Sequence, residues 1–111
     1  MASITVKNGE AKTVTFTVTR DSAAIDLTLA DLSFVVKSSY DDTTYKIQKV
    51  TADFNKAQAT LGIVSCVLTA ANLAYANIVN GTYLSELRAT ITATDIDISA
   101  NIDFIVERSL F

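Results

Sequence analysis

Apolar and polar residues alternate with a period of two along most of this chain, the pattern of strands with one buried face. In KTVTFTVTR, Val14, Phe16 and Val18 would face a core, and the threonines between them would face water. The cleanest alternation is in DIDISANIDFIVER, whose inward positions are Ile96, Ile98, Ala100, Ile102, Phe104 and Val106. Further strands are expected over SITVK, LSFVVKSS, YKIQKV, GIVSCVLT and TYLSELRATITAT. The 111 residues therefore predict one all-β domain, a β-sandwich of about seven to eight strands spanning residues 1–111.

One segment, TAANLAYANIVNGTY at residues 69–83, departs from this alternation. Its apolar residues are spaced like one face of a helix, with Leu73 and Ile78 as the large members. Thr69 fits an N-cap, and Asn80-Gly81 is a stop and turn signal. The sequence predicts one short helix near residues 70–76. A helix this short is unstable alone, so Leu73 and Ile78 must pack against the sandwich.

Composition narrows the function classes. The net charge is −3, and the nine Lys and Arg residues form no basic stripe, which argues against nucleic-acid binding. The chain has no His, which excludes Ser/His/Asp and Cys/His catalysis and imidazole metal sites. Its three glycines are isolated and cannot form a phosphate-binding loop. We therefore expect no enzyme activity and no cofactor, and we expect the single cysteine, Cys66, to be a buried and inert thiol.

Two further absences concern membranes and export. No run of 18 apolar residues is present, so we expect no transmembrane span and no membrane partner. The opening residues MASITVKNGE lack an apolar signal region, so we expect synthesis in the cytoplasm without a signal peptide.

Carboxylates occur in pairs at two places, Asp41-Asp42 and Asp95 with Asp97. A retaining glycosidase needs two carboxyl groups ~5 Å apart in a cleft that raises the pKa of one of them. Both pairs here have turn-like surroundings without apolar neighbours, which favours solvated side chains. Calcium at a loop tip is the alternative, because carboxylates are its usual ligands. We expect no catalytic residue and no metal site.

Partner binding has three candidate locations. Tyr40 and Tyr45 flank the polar loop SSYDDTTY, where two tyrosines are suited to a saccharide or a protein. The alternative is that Tyr45 begins a strand and Tyr40 lies on its surface. The second location is a sheet edge, where SITVK or the C-terminal strand would pair with another chain. The threonine face of KTVTFTVTR is a third surface that is either solvated or packed against a symmetry mate.

The order of segments resembles a known family. TVTFTVT is followed by IDLT, LSFVVKSS and an irregular middle, then by GIVSCVLT, AANLAYA, NGTYLSELRAT and a final hairpin. This order is similar to the immunoglobulin-like N-terminal domain of bacteriophage baseplate upper proteins, a domain shared by small phage tail and prophage structural proteins. The resemblance covers roughly residues 3–108.

The resemblance implies an immunoglobulin-like sandwich in a non-enzymatic virion structural protein of the tail or baseplate. It implies partners among other virion proteins and a homo-oligomer, a trimer or a hexamer, located in the virion. The alternative is a binding module that decorates a capsid or recognises a host surface through the loop at residues 38–45.

Overall fold

Strands account for most of the chain, as the period-two pattern predicts. The computed structural model describes residues 3–20, 22–39, 41–92, 95–98 and 102–108. Its described strands are β1 (Ser3–Lys7), β2 (Lys12–Thr17), β3 (Thr19–Arg20), β4 (Ala23–Ala24), β5 (Asp31–Lys37), β6 (Ile47–Val50), β7 (Phe54–Asn55), β8 (Ile63–Leu68), β9 (Gly81–Thr92), β10 (Asp95–Ile98) and β11 (Ile102–Glu107). Two short 3₁₀ helices, Thr51–Asp53 and Ala59–Leu61, flank β7.

Two sheets form the sandwich. The larger has the order β1-β11-β9-β5-β6, with β10 also paired to β9, and the smaller has the order β2-β8-β7. The pairs are antiparallel except for β1 and β11, which run parallel with Ser3 opposite Asp103. A separate two-stranded ribbon joins β3 to β4.

This strand order is that of an immunoglobulin-like sandwich, which has seven principal strands. One sheet of that sandwich contains the second, fifth and fourth strands in this order, and the other sheet contains the third, sixth and seventh. Here β2, β8 and β7 make the first set, and β5, β9 and β11 make the second. The predicted all-β sandwich is therefore confirmed. More strands are present than the predicted seven to eight, because β3, β4 and β7 are two-residue additions and because β10 and β11 pair in turn along the long strand β9.

Four phenylalanine rings pack in the core, and one of their contacts, Phe16 with Phe34, crosses between the two sheets. Phe16 of β2 lies 5.1 Å from Phe34 of β5 and 6.4 Å from Phe54 of β7, and Phe34 lies 6.3 Å from Phe104 of β11, all between ring centroids. These are normal separations for tilted aromatic pairs. The predicted inward positions of β2, β8 and β11 are buried, including Val14, Phe16, Val64, Cys66, Leu68, Ile102, Phe104 and Val106. The inward positions predicted at Ile96 and Ile98 have side chains outside the described part, as does Ala100.

The sheet edges differ in part from those expected. β1 is an edge of the larger sheet, as predicted for SITVK. The prediction that the C-terminal strand is an edge was wrong, because β11 lies between β1 and β9. Since β1 pairs with β11, it does not cover β2, and β2 is an edge of the smaller sheet.

Gly62 stands at a close approach of three chain segments. Its backbone is left-handed, with φ of 74°, and a Cβ atom there would lie 2.5 Å from the carbonyl oxygen of Val18. The Val18 amide donates to the Gly62 carbonyl at 2.8 Å, so the two backbones are held together. Only glycine satisfies both the conformation and the spacing.

We expect Gly62→Ala to lower the free energy of unfolding by about 3 kcal/mol or more, from the left-handed backbone together with the steric overlap. Gly9→Ala is the matched control, because Gly9 has φ of 77° but open space around its Cα. That variant carries the conformational cost without the overlap and is expected to lose about 1 kcal/mol. Urea unfolding followed by circular dichroism measures both. Equal losses would contradict the role assigned to the close approach.

Candidate binding surface at one end of the sandwich

Four parts of the chain meet at one end of the sandwich, which we call the tyrosine end. Strand pairing places them there: Lys37 ends β5 opposite Leu84 near the start of β9, and Val106 near the end of β11 lies opposite Gly81. The end consists of residues 8–11, the described part of 38–46, residues 69–80 and residues 107–108. Asn77 connects two of these parts, because its Nδ2 donates to the carbonyl of Lys46 at 3.1 Å.

Residues 69–80 begin as the sequence predicts. The Thr69 hydroxyl accepts from the Asn72 amide at 3.1 Å, and the Asn72 side-chain oxygen accepts from the Thr69 amide at 2.9 Å. This reciprocal pair is an N-terminal cap with the logic of a capping box. Two α-helical bonds are present in the segment, from the Leu73 amide to the Thr69 carbonyl at 3.2 Å and from the Ile78 amide to the Ala74 carbonyl at 2.9 Å.

The short helix predicted near residues 70–76 does not form, and the segment consists of successive turns. The reason is competition for its carbonyl groups. The Asn72 carbonyl accepts from the Asn77 side chain at 2.8 Å, and the Leu73 carbonyl accepts from the Gly9 amide at 2.8 Å. These carbonyls are the ones that a second helical turn would use. Leu73 and Ile78 are nevertheless fully buried, as their spacing predicts.

Asn8, which directly follows β1, forms hydrogen bonds to residues 69–80. Its side chain is buried, at 8% exposure, and its Nδ2 donates to the carbonyls of Leu73 at 3.1 Å and Ile78 at 2.7 Å. Its Oδ1 is buried and has no hydrogen-bond partner within the described structure. The two donated bonds fix the orientation of the Asn8 side-chain amide. They also hold the main chain of the segment at Leu73 and Ile78, the two residues whose side chains lie in the core.

Tyr83 closes the same segment from the other side. Its hydroxyl donates to the Val79 carbonyl at 2.7 Å, four residues upstream, while its ring is buried. This is the geometry of the tyrosine corner of immunoglobulin-like domains, where a tyrosine at the start of the sixth principal strand bonds back to the preceding loop. The corner fixes the direction in which the chain enters β9.

Two half-exposed tyrosines at this end each have a cation over the ring. The Lys37 ammonium lies 5.7 Å from the ring centroid of Tyr45, which is 48% exposed. The Arg108 guanidinium carbon lies 5.7 Å from the ring centroid of Tyr75, which is 52% exposed. Both separations suit cation–π contacts. Aromatic faces with neighbouring positive charge suit contacts with a protein or a saccharide.

The predicted partner-binding residues have different outcomes. Tyr45 is exposed as the binding hypothesis requires, and it precedes β6 rather than beginning a strand. Tyr40 lies outside the described residues. Tyr75 and Arg108 were not predicted, because Tyr75 stood within the predicted helix and Arg108 follows the last strand. Their contact joins positions 33 residues apart, and no local pattern reports it.

The predicted carboxylate pairs are not assembled into a site in the described structure. Asp41 is exposed, and the Asp42 carboxylate accepts from the Ser38 amide at 3.1 Å, which closes its own loop. The side chains of Asp95 and Asp97 lie outside the described part. Among the described residues, no group of three or more His, Cys, Asp and Glu side chains is arranged to hold a metal ion. Within the same residues, no helix has the length and hydropathy of a membrane span.

A shallow cleft of about 210 Å³ lies on the outer face of the smaller sheet. It is lined by Thr15, Asn55, Ala57, Gln58, Ile63, Val64 and Ser65. None of these side chains is ionisable. The cleft offers hydroxyl and amide groups to a contacting surface but no group for general acid–base chemistry.

Cys66 is buried on the inner face of β8, as predicted. Burial raises the pKa of the thiol from its ordinary 9.0 to about 11, and the nearby charges of Lys49 and Asp53 act in opposite directions on it. The thiolate is therefore a minor species at neutral pH, which is the condition for an unreactive cysteine.

We expect Asn8→Ala to destabilise the protein by about 2 kcal/mol, because two buried carbonyls lose their donor. Asn77→Ala is the matched control. Asn77 also donates to two main-chain carbonyls, but it is exposed, so water replaces it and the loss is expected to stay below about 1 kcal/mol. Chemical denaturation of both variants makes the comparison. An equal or larger loss for Asn77→Ala would show that Asn8 does not carry this end of the fold.

The raised pKa of Cys66 also predicts a pH dependence. Between pH 9 and about 11 the thiol ionises in the unfolded chain and stays protonated in the folded one, so the free energy of unfolding falls as pH rises. Guanidinium unfolding at pH 8.0 and pH 10.5 should therefore show a larger fall for the native sequence than for Cys66→Ala. Parallel falls in the two proteins would contradict the shift.

Comparison with known proteins leaves the functional argument to the residues themselves. No protein-family model matches the sequence, and no curated protein matches it.

Proposed function

We propose that this chain is a non-enzymatic structural protein of a bacteriophage or prophage virion, a tail or baseplate component that works in assembly through contacts with other virion proteins. Its partners are other virion proteins and further copies of itself, in a trimer or a hexamer. The proposal starts from the sequence resemblance to the immunoglobulin-like domain of baseplate upper proteins.

The observation that carries the proposal is the agreement between the strand segments of the resemblance and the strands of the sandwich, whereas AANLAYA forms turns and not the expected helix. Strand β5 consists of Asp31 followed by LSFVVK. Strand β8 is IVSCVL, and GTYLSELRAT lies within β9. The Leu-Thr pair that ends GIVSCVLT provides the cap at Thr69, and the tyrosine of NGTY provides the corner at Tyr83. Segments that resemble the family thus hold the positions on which the local architecture depends.

The sandwich also has the properties that assembly requires. Its core is tied across both sheets by phenylalanine rings, so its surfaces are held in fixed relative positions. It presents sheet edges and an end with exposed aromatic rings, and both kinds of surface serve protein–protein contacts.

Particle association tests this proposal. We expect an antibody raised against the purified chain to detect it in density-gradient-purified particles released after prophage induction of the source strain, and to label one tail or baseplate position in immunogold microscopy. Detection in the cell lysate with no signal in particle fractions that contain capsid and tail proteins would refute the virion role.

The exposed tyrosines favour a second candidate, a module that binds a host surface or decorates a capsid through the loop at residues 38–45. In that case Tyr45→Ala, alone and with Tyr40→Ala, would abolish binding to host cells or to a glycan array. Leu29→Ala is the control, because Leu29 is 90% exposed in the turn before β5 and thus at the opposite end. Equal binding by all three variants would refute this candidate.

A further inference from the structure

The outer edge of β2 carries main-chain groups that no other described strand satisfies. The register of β2 with β8 ends at Thr17 opposite Ile63, and one residue further it places Val18 opposite Gly62. The Val18 amide donates to the Gly62 carbonyl, so this is a hydrogen-bonded position when the register is extended. Hydrogen-bonded positions alternate along an antiparallel pair. Val14 and Phe16 therefore direct their amides and carbonyls toward β8, and the intervening Thr13, Thr15 and Thr17 direct theirs away from it.

Two of the other strands at sheet edges, β6 and β7, are less suited to the addition of a strand than β2 is. On β6, Lys49 is buried at 9% exposure and points to the inner face, and an inward-pointing charge opposes the addition of a strand. β7 has two residues, and β1 has five with its one charge, Lys7, at the end. β2 has six residues with its one charge, Lys12, at the end, and it has no proline and no register shift.

The sequence of β2 is complementary to itself. Around Thr15 it reads Thr-Val-Thr-Phe-Thr, which has the same alternation in both directions. A second copy placed antiparallel about a two-fold axis at Thr15 would pair each outward amide with an outward carbonyl of the other copy. In this register Thr15 lies opposite the second copy's Thr15, and Thr13 lies opposite the second copy's Thr17. A closed two-fold contact requires this self-complementarity.

Side chains fit the same register on both faces. On the outer face the three threonines of each copy would oppose threonines, a favourable cross-strand pair. On the inner face Val14 would lie beside the second copy's Phe16, a β-branched and aromatic pair that continues the core. The outer face around Thr15 has no charged side chain among its described neighbours Asn55, Ile63 and Ser65, so two copies meet there without like-charge repulsion.

We propose that β2 is the self-association edge of this protein: two copies pair antiparallel through Thr13, Thr15 and Thr17 and join their three-stranded sheets into one six-stranded sheet. This names a partner for the proposed assembly role, but it rests on the geometry of β2 and not on the virion assignment. The contact is two-fold, so it joins copies in pairs, which a hexamer of D3 symmetry contains and a cyclic trimer does not.

A contact through one short strand is small, below the ~1,200 Å² of a standard interface, so we expect a dissociation constant of roughly 10–500 µM. Sedimentation equilibrium at 5 µM to 1 mM is the first measurement, with twice the chain mass expected at the high end. A monomer throughout this range would refute the proposal.

Charge at residue 15 then tests the register. Thr15 is exposed in the single copy, so Thr15→Lys and Thr15→Glu should fold as the native protein does, which circular dichroism checks. Across the two-fold each variant would place like charges directly opposite, and we expect about a tenfold weaker self-association. An equimolar mixture would place Lys opposite Glu and should form the mixed dimer at near-native affinity in native mass spectrometry.

The control is Thr5→Lys, which adds the same charge to an exposed position of β1, the edge of the other sheet. It should leave self-association unchanged. Equal weakening by Thr5→Lys, or failure of the Lys and Glu variants to pair with each other, would overturn the assignment to β2.

Amide exchange gives a signature at single residues. In the monomer the amides of Thr13, Thr15 and Thr17 face solvent, while those of Val14 and Phe16 are already bonded to β8. Raising the concentration should slow exchange at the three threonines by at least about tenfold and leave the other two unchanged. Slowing at all five residues or at none would contradict edge pairing.

The two proposals fail separately. A chain found in particles that stays monomeric and shows no protection of the threonine amides refutes the β2 pairing and leaves the virion role standing. A chain that pairs through β2 but is absent from particles refutes the virion role and leaves the pairing standing.

Discussion

Packing of phenylalanine rings between the two sheets is the interaction on which the rest of this structure depends. Phe16 and Phe54 belong to the smaller sheet, and Phe34 and Phe104 belong to the larger one. The chain has one cysteine and no tryptophan, so the disulfide and the indole that fill the centre of antibody domains have no equivalent here. Here the contact of Phe16 with Phe34 crosses between the sheets, and Phe54 and Phe104 pack beside it, one in each sheet.

Polar contacts then define how one end is closed. Asn8 and Tyr83 hold residues 69–80 from two sides, and each bonds to main-chain carbonyls of that segment. As a result the segment forms fewer helical hydrogen bonds, because carbonyls that would accept from its own amides already accept from other donors. This exchange positions Tyr75 near Arg108 and Asn77 near Lys46, so the exposed aromatic surface depends on the same buried asparagine that completes the fold.

Much of the fold could be predicted from local pattern because a strand's buried face is encoded every second residue. The burial of Val14, Phe16, Val64 and Leu68 follows from that period, and the burial of Leu73 and Ile78 follows from their spacing. The helix prediction was wrong because the Leu73 carbonyl accepts from the Gly9 amide and the Asn8 side chain, both more than 60 residues away, and the Asn72 carbonyl accepts from Asn77. In the candidate binding surface, the exposure of Tyr45 was predictable from the sequence. The cation–π contact of Tyr75 with Arg108 was not, because it depends on the meeting of segments that are distant in sequence. β2 is an edge strand because β1 joins the larger sheet. The alternation of residues along β1 does not specify which sheet it joins.

The parallel pairing of β1 with β11 has a consequence for biosynthesis. Ser3 pairs with Asp103, so β1 cannot pair until a strand about 100 residues later in the sequence has been synthesised. Until β11 leaves the ribosome, β1 has no partner in its sheet, and the aromatic core lacks Phe104. Chains dominated by such distant pairings fold slowly and expose strand edges to neighbouring nascent chains meanwhile. On a polysome, where copies of the same sequence emerge side by side, the sandwich is therefore completed only after β11 has left the ribosome.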